Sequence, residues 1–121
     1  MAWEIEITDE FAAWYADLSN DDQERVRAAM VYLERYGPGL ARPWADLVKG
    51  SRHRNMKELR PRGGFLRVFF CFDPRRTCIL LIGGDKREIW REFYTRIIPI
   101  ADGLYDAYLE ELREEGLLDG T

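Results

Sequence analysis

The residues best equipped for chemistry lie between His53 and Tyr94. The stretch Phe65–Phe72 alternates as a strand does, with Leu66, Val68, Phe70 and Phe72 on one face and Phe65, Arg67, Phe69 and Cys71 on the other. The wholly apolar face must meet the core, so Arg67 projects from mid-sheet on an open side, with aromatic neighbours. If Leu59 faces the core, the same parity puts Glu58 and Arg60 on that open side, and Lys57 on the inner side or the strand edge. Lys86 and Arg87 follow the last strand and bring two cations to its rim, with Trp90, Arg91 and Tyr94 just beyond. Arginines among aromatic rings suit a single-stranded RNA, whose bases stack on rings while cations take the phosphates. They also suit metal-free cleavage of that polymer. The 2′-hydroxyl attacks the adjacent phosphate, one group takes its proton, another protonates the leaving 5′-oxygen, and cations steady the crowded phosphate. His53, Lys57, Glu58, Lys86 and Tyr94 are the candidates for acid and base; Arg67 and its neighbours suit the electrostatic role.

The distribution of charge agrees with that reading. Net charge is only −4, but it falls into three blocks. Residues 1–48 hold four Lys/Arg against ten Asp/Glu, residues 49–96 thirteen against five, and residues 97–121 one against seven. The basic block coincides with the strand-like region, which marks a surface for a phosphate-rich ligand. His53, Arg54, Lys57, Arg62, Phe69 and Trp90 are the candidate RNA-binding residues within it. One His and two Cys cannot make a usual zinc site, and no carboxylates stand at metal spacing, so no metal or cofactor is expected. Cys71 and Cys78 are open to cross-strand pairing but read as reduced, buried thiols. No apolar run reaches membrane-spanning length and no signal peptide is read, so a cytoplasmic protein is expected.

These residues need a frame of α+β type. Trp3–Ile7 alternates as a strand, and Thr8 caps a helix carrying Phe11, Trp14, Tyr15 and Leu18 on one face. Ser19 opens a second helix with Val26, Ala29, Met30 and Leu33 as its stripe, stopped at Gly37-Pro38-Gly39. Residues 40–55 read as irregular, with Trp44 and Leu47 tacking them to the core. Met56–Arg60, Phe65–Phe72 and Thr77–Ile82 form a three-stranded antiparallel meander, the last ended by Gly83-Gly84 and joined by the first strand. Ile97, Ile100, Ala101, Leu104, Tyr108 and Leu112 give a closing helix, stopped at Gly116. A single domain over residues 1–121 follows, with the helices on one face of the sheet and Leu117–Thr121 disordered.

Three blocks then carry a family likeness: Met56-Lys57-Glu58-Leu59-Arg60-Pro61, Gly64-Phe65-Leu66-Arg67-Val68-Phe69-Phe70, and Leu80-Leu81-Ile82-Gly83-Gly84-Asp85-Lys86-Arg87. In order and spacing the chain resembles the RelE/ParE superfamily of toxins, in its HigB-like, phage-derived branch, and the stretch from Glu92-Phe93-Tyr94 to Tyr105 is similar too. The resemblance implies the toxin of a type II toxin–antitoxin pair, an endoribonuclease cleaving messenger RNA at the ribosome. It implies silencing by a cognate antitoxin, of helix-turn-helix, HigA-like type. On it, Arg67 matches the strand arginine that contacts the scissile phosphate, and Lys86 and Arg87 match the basic pair after the last strand. Tyr94 matches the late tyrosine that activates the 2′-hydroxyl, and His53 is open as the histidine of HigB-type enzymes. Where RelE carries alternating lysines, this chain has Glu58 and Arg60. The catalytic set implied is therefore Arg60, Arg67, Lys86, Arg87 and Tyr94. A ParE-like gyrase inhibitor and a non-catalytic phage-derived interaction module remain open.

Overall fold

The computed structural model describes residues 2–87 and 90–118. Strand β1 (Ile5–Ile7) leads into helix α1 (Asp9–Ala16) through Thr8. The Thr8 hydroxyl accepts from the Phe11 N–H at 2.9 Å and donates to the Leu81 carbonyl at 2.6 Å, capping the helix and pinning it to the sheet in one residue. Ser19 caps α2 (Asn20–Tyr36) by accepting from the Asp22 N–H, and a 3-10 turn at Gly37–Gly39 closes it. Four more strands follow, β2 (Ala45–Leu47), β3 (Lys57–Leu59), β4 (Leu66–Phe72) and β5 (Cys78–Asp85), then helix α3 (Trp90–Glu114). The sheet order is β1-β5-β4-β3-β2, with β1 parallel to β5 and the other neighbours antiparallel.

One sequence expectation is overturned by the packing. The helices do not share one face of the sheet. Phe11, Val26, Ala29 and Leu33 of α1 and α2 pack on Leu59, Val68, Phe70 and Leu80. Phe93, Ile97, Ala101 and Tyr105 of α3 pack on Phe69, Cys71, Ile79 and Leu81, on the opposite face. The reason is compositional: from Val68 to Phe72 and from Ile79 to Ile82 the two central strands are apolar at every position, so neither face can stay wet. Cys71 and Cys78 belong to opposite cores and are free thiols.

Two further differences bear on the site. Strand β5 does not stop at its glycines but passes through them to Asp85. A Cβ on Gly83 would run into the Trp14 ring of α1, and one on Gly84 would lie 2.6 Å from Phe93 Cε1 of α3, so helices on both faces press directly onto the strand. Segment 40–55 contains β2, whose Ala45 pairs with Leu59 at the sheet's edge. The end of α3 is also more ordered than expected. Gly116 takes φ +73°, the Leu117 N–H bonds the Leu112 carbonyl at 2.9 Å, and Leu118 packs on the α3 core. Residues 119–121, the rest of the tail expected to be disordered, lie outside the described residues. Among the described residues no helix is long and apolar enough to cross a membrane.

Candidate active site

Because α3 covers the face expected to be open, the site is a cleft and not a flat sheet surface. Its floor comes from β3 and the ends of β4 and β5, and one wall from the first turns of α3. The other wall is the strap 49–55. The strap is tied to α3 by Arg52, whose N–H donates to Asp102 at 3.1 Å, and by His53, whose Nε2 sits 2.7 Å from Asp106. Two cavities of about 380 and 600 Å³ share Lys49 and Tyr94 and so run together along this cleft.

Glu58 stands at the centre. It is 4% exposed, because β3 register sets it beside Phe69 on the α3 face. One carboxylate oxygen, Oε1, accepts from the Tyr94 hydroxyl at 2.6 Å and lies 3.9 Å from Arg67 Nε. The other, Oε2, accepts from Arg60 Nη2 at 2.8 Å. Arg67 Nη1 donates to the Leu66 carbonyl, while its buried Nε makes no hydrogen bond. Lys86 Nζ lies 6.0 Å from the centre of the Tyr94 ring. Burial, then the charge of Arg67, holds the Lys86 ammonium below the ordinary lysine range, with Glu58 pulling the other way. Burial, then the bond to Glu58, pushes the Tyr94 phenol up to about 12, partly offset by Arg67. Tyr94 is thus a neutral hydroxyl at physiological pH.

The fold therefore brings Arg60, Arg67, Lys86 and Tyr94 together from four separate elements. Other candidates fall elsewhere. Arg87, expected beside Lys86, turns away and pairs with Asp85 on the exposed surface. Lys57 lies on the α1–α2 side, donating to the Pro38 carbonyl at 3.1 Å. Phe69, expected to stack on a base, has no exposed surface; it is sealed under Phe93 and Tyr94, with ring centres 6.2 and 6.1 Å away. His53 sits edge-on to Tyr105 and against Asp106, twelve residues along α3 from Tyr94, which is about 18 Å. Arg62 covers the Trp44 ring, and Arg54 is exposed on the strap. Trp90 opens α3, and its side chain lies outside the described residues. Lys49, Arg52 and Arg91 line the larger cavity, and Arg42 the smaller. Only their place in or beside the basic block hinted at this. Among the described residues no group of His, Cys, Asp and Glu is arranged to hold a metal ion.

The family model of phage-derived Gp49-like proteins matches residues 13–106, spanning α1 to α3 and every residue of the cluster. The chain belongs to this family. It is HigB-like as well. Over 89 residues the Gp49-like chain is 48% identical to HigB3 of Mycobacterium tuberculosis, a candidate toxin, in an alignment covering 74% of this chain and 78% of that protein. Over 117 residues it is 37% identical to HigB2 of the same organism, also a candidate toxin, covering 94% of this chain but only 58% of the relative. In fold it is similar to archaeal RelE from the RelE–RelB complex of Pyrococcus horikoshii, with TM-score 0.59, 16% identity, and coverage of 73% of this chain and 99% of that one. It is also similar to the isolated E. coli RelE toxin, with TM-score 0.58, 13% identity, and coverage of 79% and 99%. The Gp49-like chain therefore has the RelE fold, with mixed five-stranded sheet and helices on both faces.

Proposed function

We propose that this protein is the toxin of a type II toxin–antitoxin pair and that it acts as an endoribonuclease on messenger RNA, at the ribosome. Kinship with HigB3 and HigB2 and the RelE fold support the toxin reading. The observation that carries the enzymatic reading is the cluster itself: two arginines, a lysine of lowered pKa, and a tyrosine converge on one cleft.

The chemistry divides among them. The scissile phosphate settles against Arg67 and Arg60, whose guanidinium groups stabilise the charge that builds on its oxygens as the 2′-oxygen attacks. Arg67 is largely buried, its Nε 3.9 Å from Glu58 Oε1 and without a hydrogen bond, so its charge acts on that phosphate from beneath the cleft. Tyr94 meets the 2′-hydroxyl, and Lys86 gives its proton to the leaving 5′-oxygen. Holding lysine below its usual pKa favours that donation. The products are a 2′,3′-cyclic phosphate and a 5′-hydroxyl. Lys49, Arg52 and Arg91 follow the flanking phosphates along the larger cavity. The partner that silences this activity is a cognate antitoxin of HigA-like, helix-turn-helix type.

The test is expression in cells followed by mapping of messenger RNA ends. Induction should arrest growth, and purified protein with programmed ribosomes should yield cuts bearing 5′-hydroxyls. Arg67→Ala and Lys86→Ala should remove both effects while the protein still melts cooperatively. Intact messenger RNA with inhibited gyrase would replace this reading with the gyrase-directed one.

A further inference from the structure

The Glu58 carboxylate is a costly object to bury, since it leaves water for a position between α3 and the middle of the sheet. Charge compensation for Arg60 and Arg67 does not account for its geometry. Its shortest hydrogen bond goes to neither cation but to the Tyr94 hydroxyl, at 2.6 Å. Arg60 reaches the other oxygen and has a second carboxylate, Asp46, at 3.6 Å; Arg67 stays 3.9 Å away. One oxygen of Glu58 is thus committed to Tyr94. Tyr94 lines both cavities, where a substrate hydroxyl would arrive.

We propose that Glu58 is the positioning residue and proton sink of Tyr94: as the phenol oxygen takes the proton of the attacking 2′-hydroxyl, its own proton passes along the existing hydrogen bond to the Glu58 carboxylate. This rests on the ribonuclease reading above and assigns that site its base. The step balances. The 2′ O–H bond breaks and the 2′ O–P bond forms, the P–O5′ bond breaks, and the 5′-oxygen takes a proton from Lys86. Glu58 ends protonated and Lys86 neutral, and solvent resets both. A phenol whose proton is held to about pH 12 cannot serve as a pre-ionised base, so a through-transfer is the route by which it can accept one. Glu58 borders the smaller cavity, but its Oε1 is taken by the Tyr94 hydroxyl, so in this relay it acts through that ring.

The experiment is single-turnover cleavage of ribosome-bound messenger RNA across a range of pH, with the full chain and its Glu58→Gln, Tyr94→Phe and double variants. Gln keeps an acceptor for Tyr94 but takes no proton. Glu58→Gln should melt cooperatively and bind RNA within about threefold of the unaltered chain. It should cleave roughly 100-fold more slowly or worse and lose the acidic limb of the rate profile. The double variant should be no slower than Tyr94→Phe alone, because the two residues act as one unit. A folded Glu58→Gln protein within threefold of normal, or losses that multiply in the double variant, overturns the relay. Should Glu58→Gln fail to fold, Tyr94→Phe decides: loss of the acidic limb supports the relay, and its persistence overturns it. If the unaltered chain leaves messenger RNA intact, the ribonuclease reading falls and takes the relay with it; if it cuts and Glu58→Gln cuts equally, the relay alone falls.

Discussion

Lys86 and Arg87 are neighbours in sequence and part company in space, and the cause is local. The Asp85 carboxylate accepts from the Arg87 N–H at 2.9 Å and from Arg87 Nε at 2.8 Å, folding that side chain back onto its own turn. Lys86 is left to face Tyr94, with burial and Arg67 lowering its affinity for a proton. That direction fixes the sign of a pH effect. A general acid must be protonated to work, so the proposed cleavage by the unaltered chain should decline as pH rises through the depressed lysine value, below the 10.5 of an ordinary lysine. Lys86→Arg keeps the positive charge but holds its proton at every accessible pH. It should retain RNA binding, lose on the order of 100-fold in cleavage rate, and flatten the alkaline limb of the rate profile. A Lys86→Arg enzyme of normal rate would mean that Lys86 supplies charge and no proton.

At the scale of elements, the two glycines of β5 explain how a thin sheet carries helices on both faces. Gly83 lies against Trp14 and Gly84 against Phe93, so each helix sits a side chain closer than a larger residue would permit. Gly83→Ala should destabilise the fold by about 1–3 kcal/mol, since the Trp14 ring must shift and drag α1 with it. Gly103, in α3, has nothing within 4 Å of a Cβ built on it; Gly103→Ala should therefore stabilise by about 0.5–1 kcal/mol. Urea titration of the two variants against the unaltered chain checks both signs. The same glycines show what the sequence could and could not convey. Caps at Thr8 and Ser19, the stripes of α1 to α3 and the β4 alternation are local patterns and were legible, apart from Ile100 of the α3 stripe, which is exposed. That Gly83-Gly84 lies inside a strand depends on helices from either side, which no local pattern records. The site was readable in the same proportion. Parity put Arg67, Glu58 and Arg60 on one face, but the cover over that face comes from α3, more than twenty residues further on. For that reason Phe69, judged by alternation alone, looked available for stacking and is in fact core.

At the scale of the whole molecule, the proposed function asks a chain of net charge −4 to bind a polyanion, and the arrangement of its charges suits that task. The cations that line the cleft are Arg42, Lys49, Arg52, Arg60, Lys86 and Arg91, with Arg67 beneath, whereas the segments on either side of the basic block are acidic. On the proposed reading, nucleic acid is repelled from the acidic segments and admitted along the cleft. Such a protein should show a moderate salt dependence, set by the few phosphates in the cleft. For about four contacts to a single strand, the logarithm of the binding constant should fall with that of salt at a slope near −3, roughly 50-fold between 50 and 200 mM. Lys49→Glu and Arg91→Glu, both exposed and neither hydrogen-bonded to Glu58, should each weaken binding and reduce the slope by about 1, with a smaller effect on the cleavage rate of bound RNA. Fluorescence titration of a short labelled RNA at several salt concentrations measures every quantity in that statement. A slope near zero, or one that neither substitution alters, would mean that RNA does not lie along the cleft between α3 and the strap.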